Sequence, residues 1–211
     1  MQRSSFLMKA YPNARADALA ALAADLPAAW QRMKAAGASN FTVWQMQDLI
    51  FGYYEAADLD TARTVGAEIR TLAEKVSSFA DLLASPGNMH RMYTALGHVR
   101  EDKSRLTHRV FATRLYPGMI KEYRDRHAAI ETEDPAESPV NNFTIWNCGD
   151  YICGYAEMDE GHPFDKSAAA QEGNRAWETA MLKVMAWITD DVNSLFGFDC
   201  PPVVCLFNSN L

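Results

Sequence analysis

The chain lacks long apolar runs, clusters of basic residues and any excess of positive charge. No stretch reaches the length of a membrane-spanning helix, and the first residues do not form the apolar core of a signal peptide. A net charge of −7 without a basic run disfavours nucleic acid and anionic membrane surfaces as partners. We therefore expect a cytoplasmic, globular protein of one or two domains with no nucleic-acid or membrane partner.

Cysteine is also scarce, and the four cysteines all lie in the second half, at positions Cys148, Cys153, Cys200 and Cys205. Their spacings match no common zinc pattern, so the cysteines predict no metal site. Cys148 and Cys153 would face each other across a hairpin, and a disulfide between them is conceivable. The absence of a secretion signal favours reduced thiols instead.

What the chain does contain is an internal duplication. The segment NFTVWQMQDLIFGYYE, residues 40–55, aligns without a gap to NFTIWNCGDYICGYAE, residues 142–157. Asn, Phe, Thr, Trp, Asp, Ile, Gly, Tyr and Glu recur in register. A repeat of this kind indicates that one structural unit occurs twice.

Each copy has the pattern of a β-hairpin. Its first strand is rich in aromatic and β-branched residues, and Asp48 or Gly149-Asp150 supplies the turn. Gly52 and Gly154 fall inside the second strand, which predicts either a bulge or the close approach of another group.

The flanking segments repeat as well. Strands at 4–11 and 109–116 each end in Tyr-Pro, and helical periodicity follows at 17–36 and 119–130. After each hairpin we expect a long helix, at 59–83 and 168–194. A third helix is predicted at 88–99, and Pro27 is expected to interrupt or kink the first helix. A last strand at 203–207 gives the second half a fourth strand, whereas the first half shows none.

This order predicts the α+β class, with two ferredoxin-like βαββαβ repeats. We expect the first repeat at 1–104 and the second at 105–211. The strand faces turned away from the helices carry aromatic residues. Packing two such sheets face to face would bury them, which predicts a pseudo-dimeric α+β barrel within one chain.

Candidate chemistry concentrates in the second repeat. Tyr123 and His127 lie one helical turn apart and can present a hydroxyl and an imidazole to one ligand. Histidine titrates near neutral pH and can therefore exchange protons with a substrate. A Tyr and a His at this spacing are also common on helix surfaces.

Three segments together resemble the L-rhamnose mutarotases. They read RVFATRLYPGMIKEYRDRH, NNFTIW and GNRAWETAM, at residues 109–127, 141–146 and 173–181. Members of that family are small ferredoxin-like domains that dimerise into an α+β barrel and interconvert sugar anomers without a cofactor. The resemblance implies that His127 is the acid/base and that Tyr123 and Trp177 contact the sugar. Asn142, Phe143 and Trp146, on the matching strand, complete the expected substrate-binding set.

The chain departs from the family pattern at several positions. Phe143 replaces a usual Tyr, Ala176-Trp177 replaces two adjacent Trp, and the helix that carries His127 is shorter. The first repeat has Leu22 or Ala24 near the histidine position, and the segment Arg91–Tyr93 resembles Arg175–Trp177. We therefore expect one working site, with its imidazole directed into an interior that both repeats share, and a degenerate first repeat.

The leading hypothesis is an isomerase, a cofactor-independent mutarotase of a 6-deoxy-hexose such as L-rhamnose. Its partner would be a small-molecule sugar, and the chain would be a monomer or a homodimer. A non-catalytic small-molecule-binding barrel and another cofactor-free enzyme on the same barrel are the alternatives.

Overall fold

A computed structural model describes residues 1–130, 140–160, 168–189 and 202–211. Cys200 and part of the predicted second long helix lie outside this range. The described chain divides into two compact units, residues 1–90 with 204–211, and residues 91–203. Each unit contains one five-stranded antiparallel sheet and two helices, so the predicted α+β class with two ferredoxin-like sheets is confirmed.

The first repeat supplies β1 (Gln2–Ala10), α1 (Arg15–Ala35), β2 (Ala38–Met46), β3 (Leu49–Ala56), α2 (Leu59–Lys75), β4 (Ala80–Ala84) and β5 (His90–Ala95). The second supplies β6 (Leu106–Leu115), α3 (Ile120–Ala128), β7 (Val140–Cys148), β8 (Tyr151–Asp159), α4 (Ala168–Met181), β9 (Met185–Thr189) and β10 (Val204–Asn208).

The two sheets have the same strand order. In the first unit it is β10-β2-β3-β1-β4, and in the second it is β5-β7-β8-β6-β9. The last four strands in each order, β2-β3-β1-β4 and β7-β8-β6-β9, follow the ferredoxin-like arrangement. The fifth strand comes from the other repeat, because β10 pairs with β2 and β5 joins β7. The sequence repeats and the compact units therefore do not share boundaries.

The predicted long helices end earlier than expected, and this corrects the strand count. The predicted helices at 59–83 and 168–194 cover residues 80–83 and 185–189, but Ala80–Ala84 forms β4 and Met185–Thr189 forms β9, the fourth strands of the two sheets. Their apolar residues are compatible with both periods, and pairing with β1 and β6 selects the strand. The predicted helix at 88–99 is also wrong, because it contains β5. Pro27 lies inside α1, which continues through it.

Both predicted hairpins are present, and both carry the same bulge. Pairing shifts register between Ser39 and Thr42 and again between Asn141 and Thr144. Within the bulges, Asn40 and Asn142 have φ of 50° and 51°, the left-handed region that Asn tolerates better than most residues.

The two hairpin glycines are explained by close approach of a ring. A Cβ added at Gly52 would lie 1.9 Å from the Phe6 ring, and one at Gly154 would lie 2.1 Å from the Phe111 ring. Each glycine lies directly opposite its phenylalanine on the neighbouring strand. The prediction of a close approach at these positions is therefore confirmed.

Cysteine placement follows from the second hairpin. Cys148 pairs with Tyr151 and Cys153 with Trp146, so the two thiols are not cross-strand partners. Among the described cysteines, Cys148, Cys153 and Cys205 form no disulfide with one another. Burial raises the pKa of the Cys153 thiol, which keeps it protonated and unreactive.

Candidate functional site

A cavity of about 270 Å³ lies between the helices and the sheet of the second unit. It is lined by Arg109, Phe111, Tyr123, His127, Ile130, Phe143, Asn174, Trp177, Glu178, Met181, Met185 and Trp187. All of these residues belong to one compact unit. This corrects the expectation of an imidazole in an interior shared by both repeats, because the cavity lies beneath the unit's own helices α3 and α4.

His127 lies at the end of α3 and retains only 6% of its exposure. Its Nδ1 is 3.0 Å from the backbone carbonyl oxygen of Tyr123, one turn earlier. A carbonyl oxygen can only accept, so Nδ1 must carry the hydrogen. In the neutral ring, Nε2 therefore holds the lone pair. The helix backbone thus selects the tautomer of the one imidazole in the cavity lining.

Three aromatic rings surround the imidazole. The rings of Tyr123 and His127 have centroids 4.3 Å apart, and the Trp177 ring meets the imidazole edge-on at 5.1 Å. Tyr93, on β5, lies 5.6 Å away. These contacts come from α3, α4 and the exchanged strand, so the orientation of the ring depends on three separate elements.

Burial sets the protonation of the two α3 side chains that line the cavity, Tyr123 and His127. Loss of water lowers the pKa of His127, and the hydrogen bond to the Tyr123 carbonyl offsets this only partly. The imidazole is therefore largely neutral near neutral pH. Burial raises the pKa of the Tyr123 phenol far above its ordinary value, so this hydroxyl stays protonated.

Four of the predicted site residues come together in the cavity, namely His127, Tyr123, Trp177 and Phe143. Asn142 and Trp146 do not line it. Asn142 donates its side-chain amide to Glu157 at 2.9 Å, and the Trp146 indole donates to the Thr144 hydroxyl at 3.0 Å. Side chains along a strand point alternately to its two faces, so Asn142 and Trp146 lie on the opposite face of the sheet from Phe143.

Sequence reasoning missed the polar groups that share the cavity, which are Arg109, Asn174 and Glu178. For two of these residues, the spacing in the sequence could have indicated a place in the cavity. Arg109 lies two residues before Phe111 on β6, and alternate strand residues share a face. Glu178 follows Trp177 directly and lies three residues before Met181, so these α4 residues line one wall.

The first unit shows which residues occupy the matching positions of the other repeat. Tyr11 N donates to Phe79 O at 2.8 Å, as Tyr116 N does to Val184 O at 2.9 Å. Counting along the helices from these matched bonds places Leu22 at the position of His127.

The same count places Leu72 at Trp177 and Ala73 at Glu178. Leu22, Leu72 and Ala73 are all buried in the hydrophobic core of the first unit. Leu22, and not Ala24, therefore takes the histidine position, and Leu72 rather than Tyr93 takes the position of Trp177.

The fold and the cavity together define an α+β protein in which one of two ferredoxin-like units carries a cavity lined by a buried histidine. Residues 108–195 match the family model of L-rhamnose mutarotase, which confirms the resemblance for that part of the chain. No curated protein matches. A crystal structure of a putative monooxygenase from Fusobacterium nucleatum has a TM-score of 0.45 and 9% identity, with 87% of each chain covered.

Two structural surveys bear on other kinds of site. Among the described residues, no three His, Cys, Asp or Glu side chains cluster closely enough to hold a metal ion. No helix in the described ranges has the length and apolarity needed to cross a membrane.

Proposed function

We propose that this protein is a cofactor-independent mutarotase that interconverts the anomers of a 6-deoxy-hexose such as L-rhamnose. The observation that carries the proposal is the state of His127. The ring is buried in a cavity, its Nδ1 hydrogen is held by the Tyr123 carbonyl, and Nε2 is left as the proton-accepting atom. The match of residues 108–195 to L-rhamnose mutarotases supports the same reaction.

The reaction needs two proton transfers. A base removes the proton of the anomeric hydroxyl, the C1–O5 bond breaks as the C1=O1 bond forms, and an acid protonates O5. The aldehyde group then rotates, and the reverse transfers close the ring on its other face. His127 Nε2 is placed to accept the first proton and return it in the closing step.

The cavity walls suit a deoxy sugar. Phe143 and Trp177 offer apolar surfaces to the C–H face and the methyl group of the ring, while Tyr123 supplies a hydroxyl donor. The volume of about 270 Å³ is close to the lower limit of about 300 Å³ for small-molecule pockets, which favours a monosaccharide over a larger ligand.

We also propose different roles for the two repeats. The second repeat, residues 105–211, carries the site, and the first, residues 1–104, is a structural partner. Leu22 supports this assignment because a buried leucine occupies the position of the catalytic imidazole. A cytoplasmic monomer or homodimer would be sufficient for this activity.

A binding function without catalysis is the second candidate. Phe143 lines the cavity with a bare ring where the family usually has Tyr, which removes one hydroxyl from the ligand's surroundings. A protein with this change could hold a sugar and not turn it over.

Saturation-transfer NMR separates the two functions. Irradiating the α anomeric proton of L-rhamnose should reduce the β signal when the protein is present, and His127→Ala should abolish this transfer. L-fucose and D-glucose, measured in parallel, report the preferred sugar. Ligand binding without any transfer, for every sugar tested, would support the binding function and contradict the mutarotase proposal.

A further inference from the structure

Beyond His127, we infer that Glu178 is the second proton-transfer group of this site. The inference rests on the proposed mutarotase function and adds a residue that the family pattern did not supply. Within the described cavity lining, Glu178 is the one carboxylate.

The position of Glu178 supports a role in proton transfer. Glu178 lies on α4 immediately after Trp177, whose ring meets the His127 imidazole at 5.1 Å. Both Glu178 and His127 line the cavity, from α4 and from α3. The two helices are tied together where the Arg126 guanidinium donates to the carbonyl oxygen of Ala180. A ligand in the cavity can therefore be reached by the carboxylate and the imidazole together.

The burial of the Glu178 side chain supports the same role. Glu178 retains 9% of its exposure, although carboxylates are rarely buried to this extent. The matching position in the first unit holds Ala73, which packs in the core. The first unit therefore folds with a small apolar side chain at this position. The fold does not require a carboxylate here, and a catalytic role explains why Glu178 is present.

The chemistry of anomerisation requires a second group beside His127. Each anomerisation needs one group that gives a proton and one that takes it. The Tyr123 phenol is a poor candidate for either exchange, because burial raises its pKa far above the ordinary value. With His127 Nε2 as the acceptor of the O1 proton, the Glu178 carboxyl group is the donor to O5, and the closing step reverses both transfers. The proton that leaves O1 and the proton that reaches O5 then balance, and the pair ends each cycle as it began.

Removing the carboxyl group should therefore change how the rate depends on pH as well as its size. The other titratable or charged groups in the lining are Tyr123 on α3 and Arg109 on β6, and Tyr93 on β5 packs against the imidazole. Burial raises the pKa of the Tyr123 phenol, so that group stays protonated.

The test compares Glu178→Gln with the wild-type protein by saturation-transfer NMR of L-rhamnose across pH. Glu172→Gln, an exposed glutamate on the same helix, is the matched control. We expect a loss of about 100-fold or more for Glu178→Gln, a changed dependence of its rate on pH, and no change for the control. A loss smaller than about tenfold, below the usual contribution of an acid/base group, overturns the inference.

Glu178→Ala provides a second, independent readout. Removing the side chain leaves space in the cavity, and formate added to this variant should restore part of the rate, whereas chloride should not. A folded variant that still binds L-rhamnose and gains nothing from formate contradicts the inference.

Different results would contradict the Glu178 assignment and the mutarotase function. If His127→Ala abolishes exchange and Glu178→Gln does not, the Glu178 assignment fails alone. If the wild-type protein shows no exchange with any sugar, the mutarotase function itself fails.

Discussion

The Asn142 side chain donates a hydrogen bond of 2.9 Å to the Glu157 carboxylate, and both residues are fully buried. The same relationship occurs in the first unit, where Asn40 donates to Glu55 at 3.3 Å. Both asparagines have positive φ in the bulge of their hairpin. The duplicated motif therefore fixes a bulge, with the side chain of a left-handed residue held by a buried acid on the next strand.

Substitutions at Asn142 should separate the hydrogen bond from the backbone conformation. Asn142→Gly keeps the positive φ and loses only the donor, which should cost about 1–3 kcal/mol. Asn142→Ala loses the donor and also strains the backbone, which adds about 1–2 kcal/mol. Urea unfolding measures both free energies, with the Asn40 pair as the matched control. Equal losses for Gly and Ala would contradict the role of the left-handed conformation.

Gly154→Ala should destabilise the second unit by about 1–3 kcal/mol or more, because the new methyl group overlaps the Phe111 ring at 2.1 Å. Thermal unfolding followed by circular dichroism measures this loss. Combining the substitution with Phe111→Leu should recover part of it, since the shorter side chain leaves space. A Gly154→Ala protein as stable as the wild type would show that the ring moves freely.

The dependence of stability on pH should change in His127→Leu. Burial lowers the pKa of His127 in the folded protein, so below about pH 6.5 the unfolded chain binds a proton that the folded protein resists. Stability should therefore fall as pH drops through this range, and less steeply in the variant. His108, also buried with a lowered pKa, is present in both proteins and cancels in the comparison. If the free energies of unfolding of the two proteins change equally with pH, His127 does not contribute to this pH dependence.

Alanine substitutions at the matched positions Leu22 and His127 should have opposite consequences. Leu22→Ala opens a cavity in a packed core and should cost about 2–5 kcal/mol. His127→Ala widens an existing cavity, so its loss of stability should be smaller while its loss of exchange activity is complete. Urea unfolding and saturation-transfer NMR on both variants test this. A His127→Ala protein that is the less stable of the two would indicate a structural role for the imidazole.

Much of the fold could be predicted because its signals are local. The hairpin motif, the turn at Asp48 and the helix that carries His127 all follow from residues close in sequence. β4 and β9 could not be predicted in this way. Residues 80–84 continue the apolar pattern of α2, and only pairing with β1, far away in sequence, makes them a strand.

The site was predictable in part for a similar reason. Tyr123 and His127 share a helical face, which spacing alone indicates. Asn142 was misplaced because the bulge and the strand alternation decide which side chains point toward the helices. Glu178 was missed because a glutamate beside a tryptophan on an amphipathic helix is usually exposed, and its burial depends on how α4 packs on the sheet.

The most direct test of the account is the rate of anomeric exchange of L-rhamnose in the presence of His127→Ala and of Leu22→Ala, at temperatures where both are folded. The account predicts that Leu22→Ala exchanges the anomers at a rate close to that of the wild type and that His127→Ala does not exceed the buffer rate. Exchange by His127→Ala at the wild-type rate would contradict it.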